Sequence, residues 1–146
     1  METYATLHTV LVKLFNDILD IEGRAIARGE FSDLTCNEIH VIEAIGLEGG
    51  LNMSSIAKKL DVTMGTLTTA MNALVRKGYV DRKRGQEDRR IVRISLLDKG
   101  KRVFERHRQF HENMIDAVIK NLNSQETEVL EGALNRLNRF FLETEF

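Results

Sequence analysis

Asn52-Met53-Ser54-Ser55-Ile56-Ala57-Lys58-Lys59-Leu60, Asp61-Val62-Thr63 and Met64-Gly65-Thr66-Leu67-Thr68-Thr69-Ala70-Met71-Asn72-Ala73-Leu74-Val75-Arg76-Lys77-Gly78 follow one another and together decide the fold. The first nine residues predict a short helix capped by Asn52, with Ile56, Ala57 and Leu60 on one apolar face. Asp61-Val62-Thr63 breaks it. Thr63 then caps a second helix in which Leu67, Ala70, Met71, Leu74 and Val75 recur at the spacing of a buried stripe. Its other face carries Gly65, Thr69, Asn72, Ala73 and Arg76, flanked by Thr66 and Thr68. Such a small, hydroxyl-rich surface suits a helix that enters a groove. Short side chains admit close approach, hydroxyls reach phosphates or bases, Asn reads adenine, and Arg reads guanine or grips phosphate. Taken alone, the same face also fits an ordinary surface helix, since Thr is common there.

Gly78 stops the second helix, and Tyr79-Val80-Asp81-Arg82-Lys83-Arg84 predicts a strand. Gly85 to Arg90 makes a tip, and Ile91-Val92-Arg93-Ile94-Ser95-Leu96 returns with alternating apolar residues. A basic hairpin after a helix-turn-helix is the layout of a winged helix. Arg76, Lys77, Arg82, Lys83, Arg84, Arg89, Arg90 and Arg93 outweigh Asp81, Glu87 and Asp88 here, although the whole chain carries a formal net charge of −1. Positive charge gathered in one stretch is what attraction to phosphates requires.

At Ser54-Ser55-Ile56-Ala57, Leu74-Val75-Arg76-Lys77-Gly78-Tyr79-Val80, Asp88-Arg89-Arg90 and Leu96-Leu97-Asp98-Lys99-Gly100 the chain resembles the MarR-type winged-helix regulators over essentially its whole length. Within that family, residues 62–69 and 87–90 are most similar to the FabT subgroup, repressors of fatty-acid synthesis genes. Leu97 departs from the usual Thr, so the cap of the following helix is expected from elsewhere, such as Asp98. The resemblance implies that an acidic residue at the position of Asp88 orients the Arg at 90 for the minor groove. An oriented Arg loses less entropy on binding, and narrow A·T-rich grooves attract it. The expected DNA-contacting set is Ser54, Gly65, Thr66, Thr68, Thr69, Asn72, Arg76, Arg82, Arg84, Asp88, Arg89 and Arg90.

The 146 residues, 42% hydrophobic, fit a single domain, 1–146, with a sizeable core. The absence of proline leaves helices free to be long. No apolar run approaches the roughly 20 residues that cross a bilayer, and the first residues do not read as an export signal. With one cysteine, Cys36, these features point to a soluble intracellular protein, and the resemblance implies the bacterial cytoplasm, at the nucleoid. Residues 4–28 predict a first helix, with Leu7, Val10, Leu11, Leu14, Phe15, Ile18 and Ile21 as a stripe that Val12 and Leu19 widen beyond one small core. Thr35 and Glu38 have capping-box spacing before a helix ending at Glu48-Gly49-Gly50. A long helix over 98–121 and a last one capped by Ser124 complete the chain.

The expected class is therefore mainly α with a small β-wing. The winged helix-turn-helix occupies 35–97, and residues 1–30 and 98–146 serve as dimerisation helices. A two-fold dimer places two reading helices roughly 34 Å apart on a palindromic operator; the bland alternative is a monomer with a larger core.

His107 and His111 lie one turn apart on the long helix, a spacing that grips a metal ion. With Glu22 and His40 they make a four-ligand zinc candidate, and the set is similar to the primary zinc site of the family's zinc-responsive members. The plainer reading makes these histidines hydrogen-bonded pocket residues. Phe15, Leu19, His40, Phe104, His107, Phe110, His111 and Met114 can wall an apolar effector pocket, although core packing is the commoner use of such side chains. In the subgroup the effector is a long-chain acyl group on acyl carrier protein. No cofactor is required; zinc and a long-chain acyl group are the alternative effectors. Catalytic motifs are missing, and Cys36 is expected to be inert and partly buried. The expected function is thus a homodimeric transcriptional repressor of fatty-acid synthesis genes. A zinc-responsive repressor of metal-uptake genes is the nearer alternative, and a helical protein-interaction module without DNA binding is the distant one.

Overall fold

Helices begin where a side chain can satisfy the free amides of the first turn. The computed structural model describes residues 1–145. Helix α1 (Glu2–His8), a π-helical stretch (Thr9–Leu14) and α2 (Phe15–Ile26) follow directly, so the first helix starts earlier than expected and ends where Ala27 leaves helical geometry. Thr35 opens α3 (Cys36–Ile45) with the expected capping box, accepting from the Glu38 amide. That helix ends at Gly46, not at Glu48-Gly49-Gly50, because Gly46 takes a positive φ of 73° that breaks the helical path. Asn52 caps α4 (Met53–Leu60) through the Ser55 amide at 2.8 Å, and Thr63 caps α5 (Met64–Lys77) through the Thr66 amide. Gly78, at φ 86°, closes α5 as predicted. The hairpin is β2 (Val80–Arg84) and β3 (Val92–Leu96), each one residue shorter than read from the sequence. Helix α6 (Asp98–Ile119) follows, and α7 (Ser124–Glu143) is capped by Asn123, not Ser124, with Glu126 completing a capping box.

A short strand, β1 (Leu51–Asn52), pairs with β3, giving an antiparallel sheet of order β1-β3-β2 in which Leu51 faces Ile94 and Arg82 faces Ile94 from the other side. Two residues of β1 carry too little periodicity to be seen in the sequence. Backbone contacts divide the chain into two units, Met1–Phe110 and a second that begins at His111. The first unit holds the core: Ile26, Phe31, Ile39, Ile42, Ile56, Leu67, Met71, Leu74, Tyr79, Ile94 and Val103 are all buried. Val75, expected in this stripe, is 38% exposed, because it lies at the edge of the α5 face that α3 and α4 cover. Cys36, expected to be partly buried, is exposed at the first residue of α3, its sulfur lying where a side chain on Gly23 would go.

A polar anchor ties α5 and β2 to the loop between α2 and α3. The Lys77 ammonium donates to both Glu38 oxygens (2.8 and 3.0 Å) and to the Asp33 carbonyl (2.5 Å). Two residues on, the Tyr79 hydroxyl donates to the Asp33 carboxylate at 2.5 Å. That hydrogen bond holds the Asp33 carboxyl below its ordinary range, while burial and then the bond to Asp33 push Tyr79 far above its own. Lys99 of α6 lies over the Tyr79 ring, Arg106 lies over Phe31, and Arg102 pairs with Glu30. Gly100 has no room for a Cβ against the Tyr79 carbonyl. Removing one partner of a fully buried ion pair costs about 3–5 kcal/mol. Lys77 is still one-fifth exposed, so Lys77→Met is expected to lower urea-unfolding stability by roughly 2–3 kcal/mol. Gly100→Ala is expected to lower it by about 1–3 kcal/mol by overpacking.

Candidate nucleic-acid interface

On α5 the residues predicted to face outward do so: Gly65, Thr66, Thr68, Thr69, Asn72 and Arg76 are exposed, as is Ser54 on α4. Their hydroxyls are not idle. Thr68 donates to the Met64 carbonyl (2.7 Å) and Thr69 to the Gly65 carbonyl (3.1 Å), while Thr66 accepts from Thr63 (3.0 Å). Thr68 and Thr69 therefore offer acceptor lone pairs and methyl groups outward, since each has one hydroxyl proton and it is engaged. Asn72 accepts from Arg82 of β2 at 2.6 Å, which joins the helix to the hairpin. Lys77, counted in the sequence among the basic charges of this stretch, turns inward to Glu38 instead.

The hairpin tip is closed by the Gly85 amide donating to the Ile91 carbonyl (2.7 Å) and the Ile91 amide donating to that of Asp88 (3.2 Å). Within it Arg90 forks onto Asp88: Nε and Nη2 each donate at 3.1 Å, and the Arg90 amide adds a third bond at 3.0 Å. The Arg90 side chain nonetheless remains 91% exposed. It is held from behind and open in front, the arrangement that limits entropy loss when a guanidinium inserts into a groove. The Arg90 hydrogen bonds, side chain first and backbone second, lower the Asp88 pKa. Arg84 and Arg89 are exposed beside it, and Arg93 donates to the Gly50 carbonyl. Exposed cations, hydrogen-bonded guanidinium donors and small outward-facing groups give this surface the means to bind phosphates and base edges.

The residues expected to hold an effector are placed less uniformly. Phe104 packs on the core, Phe15 and Leu19 stand exposed on α2, and Phe110 is half-buried at the end of the first unit. Glu22 and His107 are buried and meet through Oε1 and Nε2. His40 does not join them. It is exposed on the other side of α3, lining a shallow depression with Asn37, Leu60, Val62 and Thr66, because Glu43 takes the α3 position facing His107, 3.4 Å from Nδ1. A carboxylate on the second ring nitrogen is the usual support of a metal-binding histidine, so the donor chemistry of Glu22 and His107 suits zinc. His111 and Met114 are half-buried in the second unit, His111 one turn beyond His107 along α6. Glu43 escaped the sequence reading because it stands among the polar residues of a helix whose neighbours are known only once α6 has packed. Spacing also gave no sign of the Asn72 to Arg82 contact, which joins a helix to a strand.

The sequence pattern of the MarR family matches residues 34–92, which include α3 to the start of β3. Over almost the full length of both chains the fold is similar to that of Streptococcus pneumoniae FabT in complex with DNA, at 34% identity and a TM-score of 0.86, covering 97% of this chain and 99% of that one. Among curated proteins, the transcriptional repressor YetL of Bacillus subtilis is 28% identical over 93% of this chain and 85% of its own length. The transcriptional regulator SarZ of Staphylococcus saprophyticus is 40% identical over 50% of each chain. The hairpin tip itself is open to direct measurement. Titration of the Asp88 carboxyl by NMR is expected to give a midpoint below the ordinary value near 3.9, and Arg90→Ala should raise that midpoint; an unchanged value would mean the pair does not form in solution.

Proposed function

This chain belongs to the MarR family of DNA-binding transcriptional regulators, and from that premise we propose that it is a homodimeric repressor of fatty-acid synthesis genes governed by a long-chain acyl effector. The observation that carries this reading is the likeness to DNA-bound FabT along nearly the whole of both chains. Family membership sets aside the helical interaction module. No described helix is long and apolar enough to cross a membrane, and the site of action proposed is the bacterial cytoplasm, at the nucleoid.

In this reading residues 35–97 engage DNA and residues 1–30 and 98–146 join two copies. The apolar surface supports it: Leu7, Val10, Val12, Leu14, Phe15 and Leu19 are exposed in the first unit, and Val129, Leu134, Phe140 and Phe141 in the second. Apolar exposure on that scale is rare on monomers. Two copies present two α5 helices and two wings to a palindrome, with Arg90 in the minor groove and Thr66, Thr68, Thr69, Asn72 and Arg76 toward the major groove. Phe15, Leu19, Phe104 and Phe110 would line the acyl site, the acyl group arriving on acyl carrier protein. The effector acts by favouring one separation of the two α5 helices, and shifts DNA affinity by no more than its preference for that state.

The contact between buried Glu22 and His107 supports a second reading, a zinc-responsive repressor of metal-uptake genes. Sequencing the genomic fragments captured by the purified protein, with and without zinc, separates the two. Zinc-insensitive fragments upstream of fatty-acid synthesis genes are expected; zinc-dependent fragments upstream of metal-uptake genes would replace the lipid reading with the zinc one. On a captured operator at physiological salt, Arg90→Ala is expected to weaken binding about tenfold or more, and near-normal affinity would remove the wing from the interface. Sedimentation of the wild-type protein should give a dimer.

A further inference from the structure

Asn72 stands in the middle of the exposed face of α5, where a helix in the major groove meets base edges. An asparagine there ordinarily matches adenine, because its amide accepts from N6 and donates to N7 at once. In this fold the amide oxygen is already engaged: Arg82 Nη2 donates to Asn72 Oδ1 at 2.6 Å. Arg82 is built to do so. Side chains alternate along β2, so buried Val80 and exposed Arg82 share the face of the strand that looks toward α5, while Asp81 and Lys83 share the other and pair with each other. Register fixes the strand further, since Arg82 lies opposite buried Ile94.

We propose that Arg82 sets the base preference of Asn72, turning an adenine-matching amide into a donor-rich edge that selects guanine. With one lone pair of Oδ1 taken by a charged donor that also crowds the oxygen, a base meets the two N–H bonds of Asn72, the remaining N–H bonds of the Arg82 guanidinium and a single acceptor lone pair. Donors dominate that edge. Guanine offers two acceptors, O6 and N7, on its major-groove edge, whereas adenine offers one acceptor beside an N6 donor that would face these N–H groups unpaired. Arg82 is thus a specificity-determining residue acting through Asn72, and the hairpin takes part in reading the major groove as well as in gripping the backbone. The inference rests on α5 being the DNA-reading helix.

Selection from a pool of random palindromic duplexes, captured on the wild-type protein, on Arg82→Ala and on Asn72→Ala and then sequenced, tests this. Both side chains are exposed, and thermal unfolding verifies that the variants keep the fold. The wild type is expected to favour guanine at one symmetry-related pair of positions. Arg82→Ala should lower the guanine-to-adenine ratio there by about fivefold or more while leaving other positions alone, and Asn72→Ala should level the two bases. If Arg82→Ala keeps the wild-type preferences and only binds more weakly at all sequences, Arg82 is a phosphate anchor and the proposal fails, while the DNA-binding reading stands. If the wild type enriches no duplex, the DNA-binding reading falls and the proposal with it.

Discussion

The Lys77 ammonium, enclosed by both Glu38 oxygens and the Asp33 carbonyl, is the interaction on which the placement of α5 and the wing depends. It sits at the last residue of α5, immediately before the glycine that turns the chain into β2. Glu38 also accepts from the Thr35 amide and so completes the cap of α3. One carboxylate therefore fixes where α3 begins and where α5 ends. Tyr79 continues the same anchor through Asp33, and α6 lies against it with Lys99 over the ring and Gly100 against the carbonyl. A largely buried ion pair adds little net stability over an apolar alternative, but it tolerates only one geometry. In this chain that geometry joins the loop after α2, the end of α5 and the start of α6.

The proposed interface is ordered by the opposite means, short-range hydrogen bonds among exposed groups. Thr68 and Thr69 turn their hydroxyls back to their own helix, Asn72 is engaged by Arg82, and Arg90 is forked onto Asp88. None of these bonds adds much to folding, since exposed pairs are screened by water and gain little. Their effect is to fix side chains that would otherwise lose conformational freedom on binding, and to decide which atoms still face outward. A surface of this kind binds through what its internal bonds leave unused. That is why Asn72 and Arg82 are better considered as one group than as two independent contacts.

The Glu22 and His107 contact has a different logic. It lies at the junction of α2, α3 and α6, where Glu43 supports the far side of the imidazole. Two of those elements, α3 and α6, also meet at the anchor described above, through Glu38 and Lys99.

Much of the molecule was legible in the amino-acid order because its cues are local. Asn52, Thr63 and Thr35 cap helices through amides three residues ahead, Gly78 ends α5 with a positive φ, and Asp88 meets Arg90 two residues away. Those bonds form within one turn of chain, so spacing predicts the caps, and the family resemblance implies the pairing of Asp88 with Arg90. Where local cues compete, the sequence misled: Asn123 caps α7 although Ser124 is an equally good capping residue, and Gly46 ends α3 ahead of the paired glycines. By itself the sequence determined the helix-turn-helix, the hairpin, the apolar faces and the oriented arginine. Only tertiary structure decided that Lys77 turns inward, that Arg82 engages Asn72, and that Glu43 rather than His40 faces His107. Each of those contacts joins residues on different elements, and which side chains meet there is set by the packing of α3, α5 and α6 around a shared core, which no spacing along a single helix or strand encodes.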